Sequence, residues 1–240
     1  MAPTQILTNE SEWQGLQITQ QPDGNYVLLN GNTVVTTPNG RIIAHHNYEL
    51  IALLKREAVQ WQGLDVTALR AYSLCCTQID FVAQGYDMVA TALEDILATA
   101  EPLFRAVPGP EQADQLATWR CVRAWLSAAG VQLPHMAHGG LHDRNGQQVQ
   151  ALVRQTYAGL TMSQRTGVIS LLNRHDCGVL LPLMLVLGHW SSSAYTEAMC
   201  MAQTAHPLFD TIEWAEYRTQ FQFCASEAQA VRDYIEAMAE

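Results

Sequence analysis

The chain has 240 residues, with 13 Lys or Arg against 23 Asp or Glu, so its formal net charge is −10. This acidic balance repels the phosphates of nucleic acids and anionic lipids, so we expect neither nucleic-acid binding nor membrane insertion. The length allows one large or two small domains, and a hydrophobic content of 48% is ordinary for a globular protein.

Residues 17–44 have the pattern of short β-strands. The β-rich runs 17–20, 25–29, 33–37 and 41–44 alternate with turn signals, among them Asn30-Gly31 and Asn39-Gly40. Asn-Gly pairs tolerate the positive φ angles of tight hairpin turns. The region is therefore predicted to form an antiparallel meander.

From residue 47 the apolar period changes to that of a helix. Asn47 is predicted to cap a helix that ends near Gly63. Further helices are predicted over residues 67–84, 86–101, 111–129, 146–159, 163–174, 178–188, 193–204 and 211–238, with a break near Cys224 left open. The run 177–188 is too short for a bilayer span and is predicted to be a buried helix with Pro182 near its first turn or at a kink. The predicted fold class is α+β, with a β-rich domain over residues 1–66 and a helical domain over residues 67–240.

The six cysteines form no Cys-x-x-Cys motif, and most lie in apolar helical patterns, as Cys75 and Cys76 do. Free thiols there pack as small hydrophobic groups, which indicates a reducing compartment. Residues 1–10 show neither a signal peptide nor a presequence. We therefore expect the cytoplasm of a bacterium, or the mitochondrial matrix if the protein is eukaryotic and processed.

Few residues suggest catalysis. His135, His138 and His142 could together hold zinc, but a loop containing Gly139-Gly140 offers little rigidity, and exposed loop histidines are the alternative. Residues 191–193 are three serines that fit a helix cap. Because no phosphate-binding loop or nucleophile elbow is present, we expect no cofactor and no enzymatic activity.

Several acidic residues have two interpretations. Asp80 interrupts an apolar stretch, either as a paired, half-buried carboxylate or as a partner contact. Near the C-terminus a group of acidic residues forms either a solvated face or an electrostatic docking surface. Its members are Glu213, Glu216, Glu227, Asp233 and Glu236.

Short motifs, taken in their order and spacing along the chain, resemble one family. Residues 26–31 (YVLLNG) and 37–41 (TPNGR) are similar to the opening "VLLDGRPVKTPAG" of the ATP synthase assembly chaperones known as ATP-twelve. Residues 74–80 resemble the family's "LANTAID", with cysteines in place of Ala-Asn. Arg105 stands at the arginine of "LCYRA", and Trp119 with Trp125 repeats a Trp-x5-Trp pair. The resemblance covers residues 13–205.

The resemblance implies a chaperone that binds the free α subunit of the ATP synthase catalytic head and covers the surface that later packs on β. We expect the chain to be a monomer. The C-terminal region departs from the family, because only Gln220 matches its acidic motif and residues 205–214 look inserted. Alternatives are a metalloenzyme built on the three loop histidines and an adaptor of the same fold with another client. The candidate partner-binding residues are Asp80, Arg105, Glu213, Glu216, Gln220 and Glu227.

Overall fold

The computed structural model describes residues 4–5, 15–61, 69–99, 117–131, 144–174, 178–204 and 214–239. The chain divides into two compact units, one of Met1–Asp87 with Ala230–Glu240 and one of Met88–Gln229. The first contains a mainly antiparallel sheet and the second is helical where it is described, which confirms the predicted α+β class. The domain boundary between residues 66 and 67 stays a prediction.

The first unit is built on a five-stranded sheet. Its strands are β1 (Thr4–Gln5), β2 (Leu16–Gln20), β3 (Tyr26–Asn30), β4 (Thr33–Val35) and β5 (Ala44–His45). They are ordered β1-β4-β3-β2, and β5 also pairs with β3. All pairs are antiparallel except β1 with β4. The predicted meander is confirmed, but residues 41–43 contribute only an isolated bridge between Ile42 and Thr36.

The turn between β3 and β4 depends on one glycine. Asn30 pairs with Thr33, so Gly31 and Asn32 form a two-residue loop. Gly31 has a φ angle of 59°, whereas no described non-glycine residue has a positive φ. The positive φ angle expected of the Asn-Gly pair is thus carried by the glycine, and Asn30 remains in the strand.

Two helices of the first unit, α1 (Tyr48–Gln60) and α2 (Arg70–Asp80), complete its core. Asn47 caps α1 as predicted, since its side-chain oxygen accepts a hydrogen bond from the Glu49 amide at 3.0 Å. The buried face of α1 lies against β2 and β3. The buried residues at this contact include Leu16, Val27 and Leu28 from the sheet and Leu50, Ile51 and Leu54 from α1.

The predicted helix over residues 67–84 is shorter than expected. α2 ends at Asp80, and a 3₁₀ turn over Val82–Gln84 follows. Gly85 closes that turn with a φ angle of 79°. Cys75 and Cys76 are buried in α2, as predicted for thiols that pack in a core.

The second unit contains α3 (Met88–Thr99), α4 (Arg120–Ala128), α5 (Arg144–Ala158), α6 (Met162–Arg174), α7 (Leu180–Val186), α8 (Ser192–Thr204) and most of α9 (Trp214–Met238). Every residue of α7 is buried, and α7 contacts α4, α6 and α8. It is the buried helix predicted from the apolar run, with Pro182 as its third residue. α9 is continuous through Cys224.

Side chains cap the N-termini of two of these helices. Thr161 and Gln164 bond reciprocally to each other's backbone amides at 3.0 and 3.2 Å, which is a capping box for α6. The Ser191 hydroxyl accepts a hydrogen bond from the Ala194 amide at 3.2 Å. The serine run is therefore a helix cap, as predicted.

We expect Gly31→Ala to destabilise the protein by about 1 kcal/mol, because an L-residue with a side chain is strained at positive φ. Space is not the cause, since a Cβ at Gly31 would meet no atom within 4 Å. Urea unfolding measures the loss. Gly15→Ala is the matched control, because its Cβ would make ordinary contact and its φ lies outside the left-handed region. Equal effects of the two substitutions would contradict this explanation.

Candidate functional site

Asp80 is a buried carboxylate at the C-terminal end of α2. Its side chain is 2% exposed. The Thr37 hydroxyl donates a hydrogen bond of 2.8 Å to its Oδ1, and Arg41 Nη1 lies 3.4 Å from the same oxygen. Of the two interpretations of Asp80, the structure therefore shows the paired carboxylate, although it is fully buried instead of half-buried.

The turn after β4 holds Thr37 in position for this bond. The Thr37 amide donates to the Arg41 carbonyl at 2.8 Å, and the Gly40 amide donates to the Thr37 carbonyl at 2.9 Å. The Thr37 hydroxyl also accepts from the Arg41 amide at 3.2 Å. Because this hydroxyl both donates and accepts, its orientation is determined by the turn and by Asp80 together.

Arg41 joins the turn to the end of α2. Its Nη1 donates to the carbonyl oxygens of Ile79 and Asp80, both at 3.1 Å. The last carbonyls of a helix lack partners within the helix and carry partial negative charge, so they favour a cation. The Arg41 side chain is 41% exposed. The Arg41 side chain is thus held at Nη1 and remains partly exposed to solvent.

A second contact ties the sheet to α2. The buried Tyr72 hydroxyl donates to the Thr36 carbonyl at 3.0 Å. Burial raises the pKa of Tyr72 well above its ordinary value, and the neighbouring Cys76 thiol adds to the shift. Burial also raises the pKa of Cys76 to about 12. Both groups therefore stay protonated near neutral pH, and the Cys76 thiol is a poor nucleophile.

Glu57 of α1 caps the N-terminus of α2 from outside that helix. Its two carboxylate oxygens accept from the amides of Ala71 and Tyr72 at 3.0 and 3.1 Å. The residue at the start of α2, Leu69, makes no side-chain cap. Burial raises the pKa of Glu57, while the bonds from the Ala71 and Tyr72 amides act in the opposite direction. A groove of about 300 Å³ lies beside this carboxylate.

The C-terminal end of α9 completes the first unit. The Tyr234 hydroxyl donates to Gln78 Oε1 at 3.0 Å. Asn47 Nδ2 donates to the carbonyl oxygens of Ala237 and Ala239 at 2.9 and 3.2 Å. Asn47 therefore caps the start of α1 with its oxygen and binds the end of α9 with its nitrogen.

The structure describes only part of the candidate partner-binding set. Arg105 and Glu213 lie outside the described residues, and so does the side chain of Glu216. Gln220 is half-buried in α9. Glu227, also in α9, is 3% exposed, so it is not on a solvated face. Burial raises the pKa of the Cys224 thiol to about 12, and the charge of Glu227 adds to that shift.

Asp80 contacts two residues that were not among the candidates, Thr37 and Arg41. Both belong to the TPNGR segment, which the sequence marks as a turn and as part of the family resemblance, but not as a partner of Asp80. Because the Asp80 carboxylate is enclosed, Arg41 is the member of this cluster that reaches solvent. If Asp80 has a role in partner binding, it is therefore to position Arg41.

The three loop histidines, His135, His138 and His142, lie outside the described residues. Within the ranges that the structure does describe, no group of three or more His, Cys, Asp or Glu side chains could hold a metal ion. In the same ranges, no helix has the length and apolar character needed to cross a bilayer.

Comparison with solved structures identifies the fold. No family model matches the sequence, and no curated protein matches it. Atp12 from Paracoccus denitrificans superposes with a TM-score of 0.64 at 19% sequence identity, over 94% of this chain and 95% of that one. The chain has the Atp12 fold.

Two further structures support the Atp12 fold. A substituted form of the Paracoccus protein gives a TM-score of 0.63 at 18% identity, over 94% of both chains. Atu1473 of Agrobacterium tumefaciens, described as a candidate chaperone, gives 0.71 at 15% identity, over 94% of this chain and 85% of that one. The family resemblance stated from the motifs is therefore confirmed as a likeness of fold.

We expect Thr37→Val to cost about 1–3 kcal/mol of unfolding free energy, because the buried Asp80 carboxylate loses a hydrogen-bond donor. Thr77→Val is the matched control, since the Thr77 hydroxyl bonds to the Ser73 carbonyl of its own helix. The control should change stability by less than about 0.5 kcal/mol. Urea denaturation of both variants measures the difference, and a Thr37 variant as stable as the control would refute the proposed importance of this bond.

Glu57→Gln should alter how stability depends on pH. Since the folded pKa of Glu57 is raised, its contribution falls as pH rises from the ordinary value of 4.5 through the folded pKa. Gln does not titrate, and it offers one acceptor oxygen to two amides. We expect the stability advantage of the unaltered chain over Glu57→Gln to be larger at pH 4.5 than at pH 7. An advantage that grows with pH would contradict the cause given for the shift.

Proposed function

We propose that this protein is an assembly chaperone that binds the free α subunit of the ATP synthase catalytic head and prevents its aggregation before α meets β. The observation that carries the proposal is the Atp12 fold, which extends over 94% of the chain. The ordered motifs of residues 26–41 and 74–80 give independent support from the sequence. The description of the Agrobacterium neighbour as a candidate chaperone agrees with this role.

A subunit awaiting its partner has a physical need for such a protein. Stable subunit interfaces are large and apolar, so an unpaired subunit exposes a surface that aggregates. A chaperone for this surface must itself offer apolar contacts. Large apolar side chains are exposed in both units, with Ile42, Phe81 and Tyr86 in the first and Met88, Met162 and Phe223 in the second.

Holding a subunit requires no bond chemistry. We therefore propose that the chain acts without enzymatic activity or a cofactor. We also propose that it is a monomer and that it works in a bacterial cytoplasm or a mitochondrial matrix. Among the sequence candidates, we keep Arg105, Glu213, Glu216 and Gln220 as proposed client contacts. Asp80 and Glu227 are buried, so we assign them supporting roles.

Co-expression with the cognate α subunit tests the proposal. We expect the soluble fraction of α to rise and α to co-purify with this chain, because the chain covers the interface that α otherwise exposes. The β subunit, expressed in the same way, is the control and should gain nothing. If α stays insoluble and unbound while this chain is folded, the proposal is wrong.

An adaptor with another client is the second candidate. It is favoured by the C-terminal region, where residues 217–225 match the family motif only at Gln220. A pulldown from the native cell separates the two functions. Capture of a different, stoichiometric partner without α would support the adaptor.

A further inference from the structure

Three large apolar side chains of the first unit are exposed close to Arg41. Ile42 is 49% exposed, Phe81 is 51% exposed and Tyr86 is 69% exposed. Side chains of this size are normally buried, and a group of them on a surface indicates an interaction site. They are called the Arg41 patch below, together with Arg41 itself.

Chain connections and hydrogen bonds place the members of the patch near one another. Ile42 follows Arg41, and Phe81 follows Asp80, whose carbonyl binds the Arg41 guanidinium at 3.1 Å. The Tyr86 amide donates to the Phe81 carbonyl at 3.1 Å. The backbones of the three apolar residues therefore lie near the point where the sheet turn meets the end of α2.

The backbone beneath the patch is held by local bonds. The Phe81 amide donates to the Thr77 carbonyl at 3.1 Å, and the Gln84 amide donates to the Phe81 carbonyl at 3.0 Å. The Gln84 side chain also donates to the Ile79 carbonyl at 3.3 Å. A surface that is already ordered loses less conformational entropy on binding, so the patch suits recognition.

The charge of the patch indicates what it binds. Arg41 is bound through Nη1 to the end of α2 and is 41% exposed, in a chain whose net charge is −10. A partly exposed guanidinium with apolar neighbours forms charge-assisted hydrogen bonds with a carboxylate. Arginine and tyrosine are also enriched among the residues that dominate binding energies at interfaces.

We propose that the Arg41 patch docks a segment of the client in which apolar side chains flank a carboxylate. This proposal rests on the proposed function, since it names where and how the α subunit is held. Ile42, Phe81 and Tyr86 cover the apolar side chains of the segment, and the partly exposed Arg41 side chain binds its carboxylate.

The test compares α-subunit binding by the unaltered chain and by a double variant, Phe81→Ser with Tyr86→Ser, using purified proteins. Both side chains are exposed, so the variant should fold, which circular dichroism checks. Val59→Ser is the matched control, because Val59 is 52% exposed and lies near the end of α2 opposite Phe81, where Glu57 binds Ala71. We expect the double variant to bind α about tenfold more weakly or worse, and the control to stay within about twofold.

A second variant tests the charge. Arg41→Gln should weaken α binding and should make the remaining affinity less sensitive to ionic strength than that of the unaltered chain. Arg41 also contacts Asp80, so this comparison is made at a temperature at which the variant is folded. An affinity with the same salt dependence as the unaltered chain would overturn the carboxylate assignment.

The outcomes distinguish failure of the patch proposal from failure of the proposed chaperone function. Equal binding by the unaltered chain and the double variant would overturn the patch and leave the chaperone role intact. No binding by the unaltered chain would overturn the chaperone role and the patch with it. A chain that is dimeric in solution, and that Phe81→Ser with Tyr86→Ser makes monomeric, would assign the patch to a second copy and overturn the client proposal.

Discussion

The hydrogen bond between the Thr37 hydroxyl and the buried Asp80 carboxylate is the contact on which the first unit depends. Leaving a buried carboxylate without partners costs several kcal/mol, so the turn and the end of α2 must meet in one geometry. Arg41 belongs to the same turn and binds the last carbonyls of α2. One buried charge thus positions the sheet turn, the helix end and the cation of this cluster.

The end of α9 makes a second long-range closure. Asn47 and Ala237 are 190 positions apart in the chain, and Tyr234 and Gln78 are 156 apart. Through these bonds the last residues of the chain complete a unit formed mainly by residues 1–87. Stability of the sheet unit is therefore linked to the end of α9, and deleting residues 230–240 would remove the partners of Asn47 Nδ2 and of Gln78.

Local signals in the sequence predicted the elements well. The Asn-Gly turns, the Asn47 cap, the serine cap of α8 and the buried apolar helix α7 each depend on neighbouring residues, and each is present in the structure. The end of α2 at Asp80 was not predicted, because the 3₁₀ turn before Gly85 continues the same apolar period. The cap that Glu57 makes on α2 was not predicted either, since it is a contact between two helices that no local pattern encodes.

The candidate site was harder to predict. A carboxylate that interrupts an apolar run marks Asp80 as unusual in the sequence, but its partner Thr37 is 43 positions away. The sequence groups Glu227 with other acidic residues, whereas the structure buries its side chain in α9. Packing, which the local pattern does not encode, decides which face of the helix is buried. The family motifs carried more information, since the order of short matches along the chain led to the Atp12 fold at 19% identity.

These features together support the proposal that this protein works by recognising another protein. Exposed aromatic and aliphatic residues lie near the end of α2, where the fold itself positions the Arg41 guanidinium. Hydrogen–deuterium exchange of the chain with and without the proposed client, the ATP synthase α subunit, tests this account most directly. It predicts that the α subunit slows exchange of the amides in residues 79–87 while those near Val59 are unchanged. Unchanged exchange at residues 79–87, in a sample where α is bound, would contradict it.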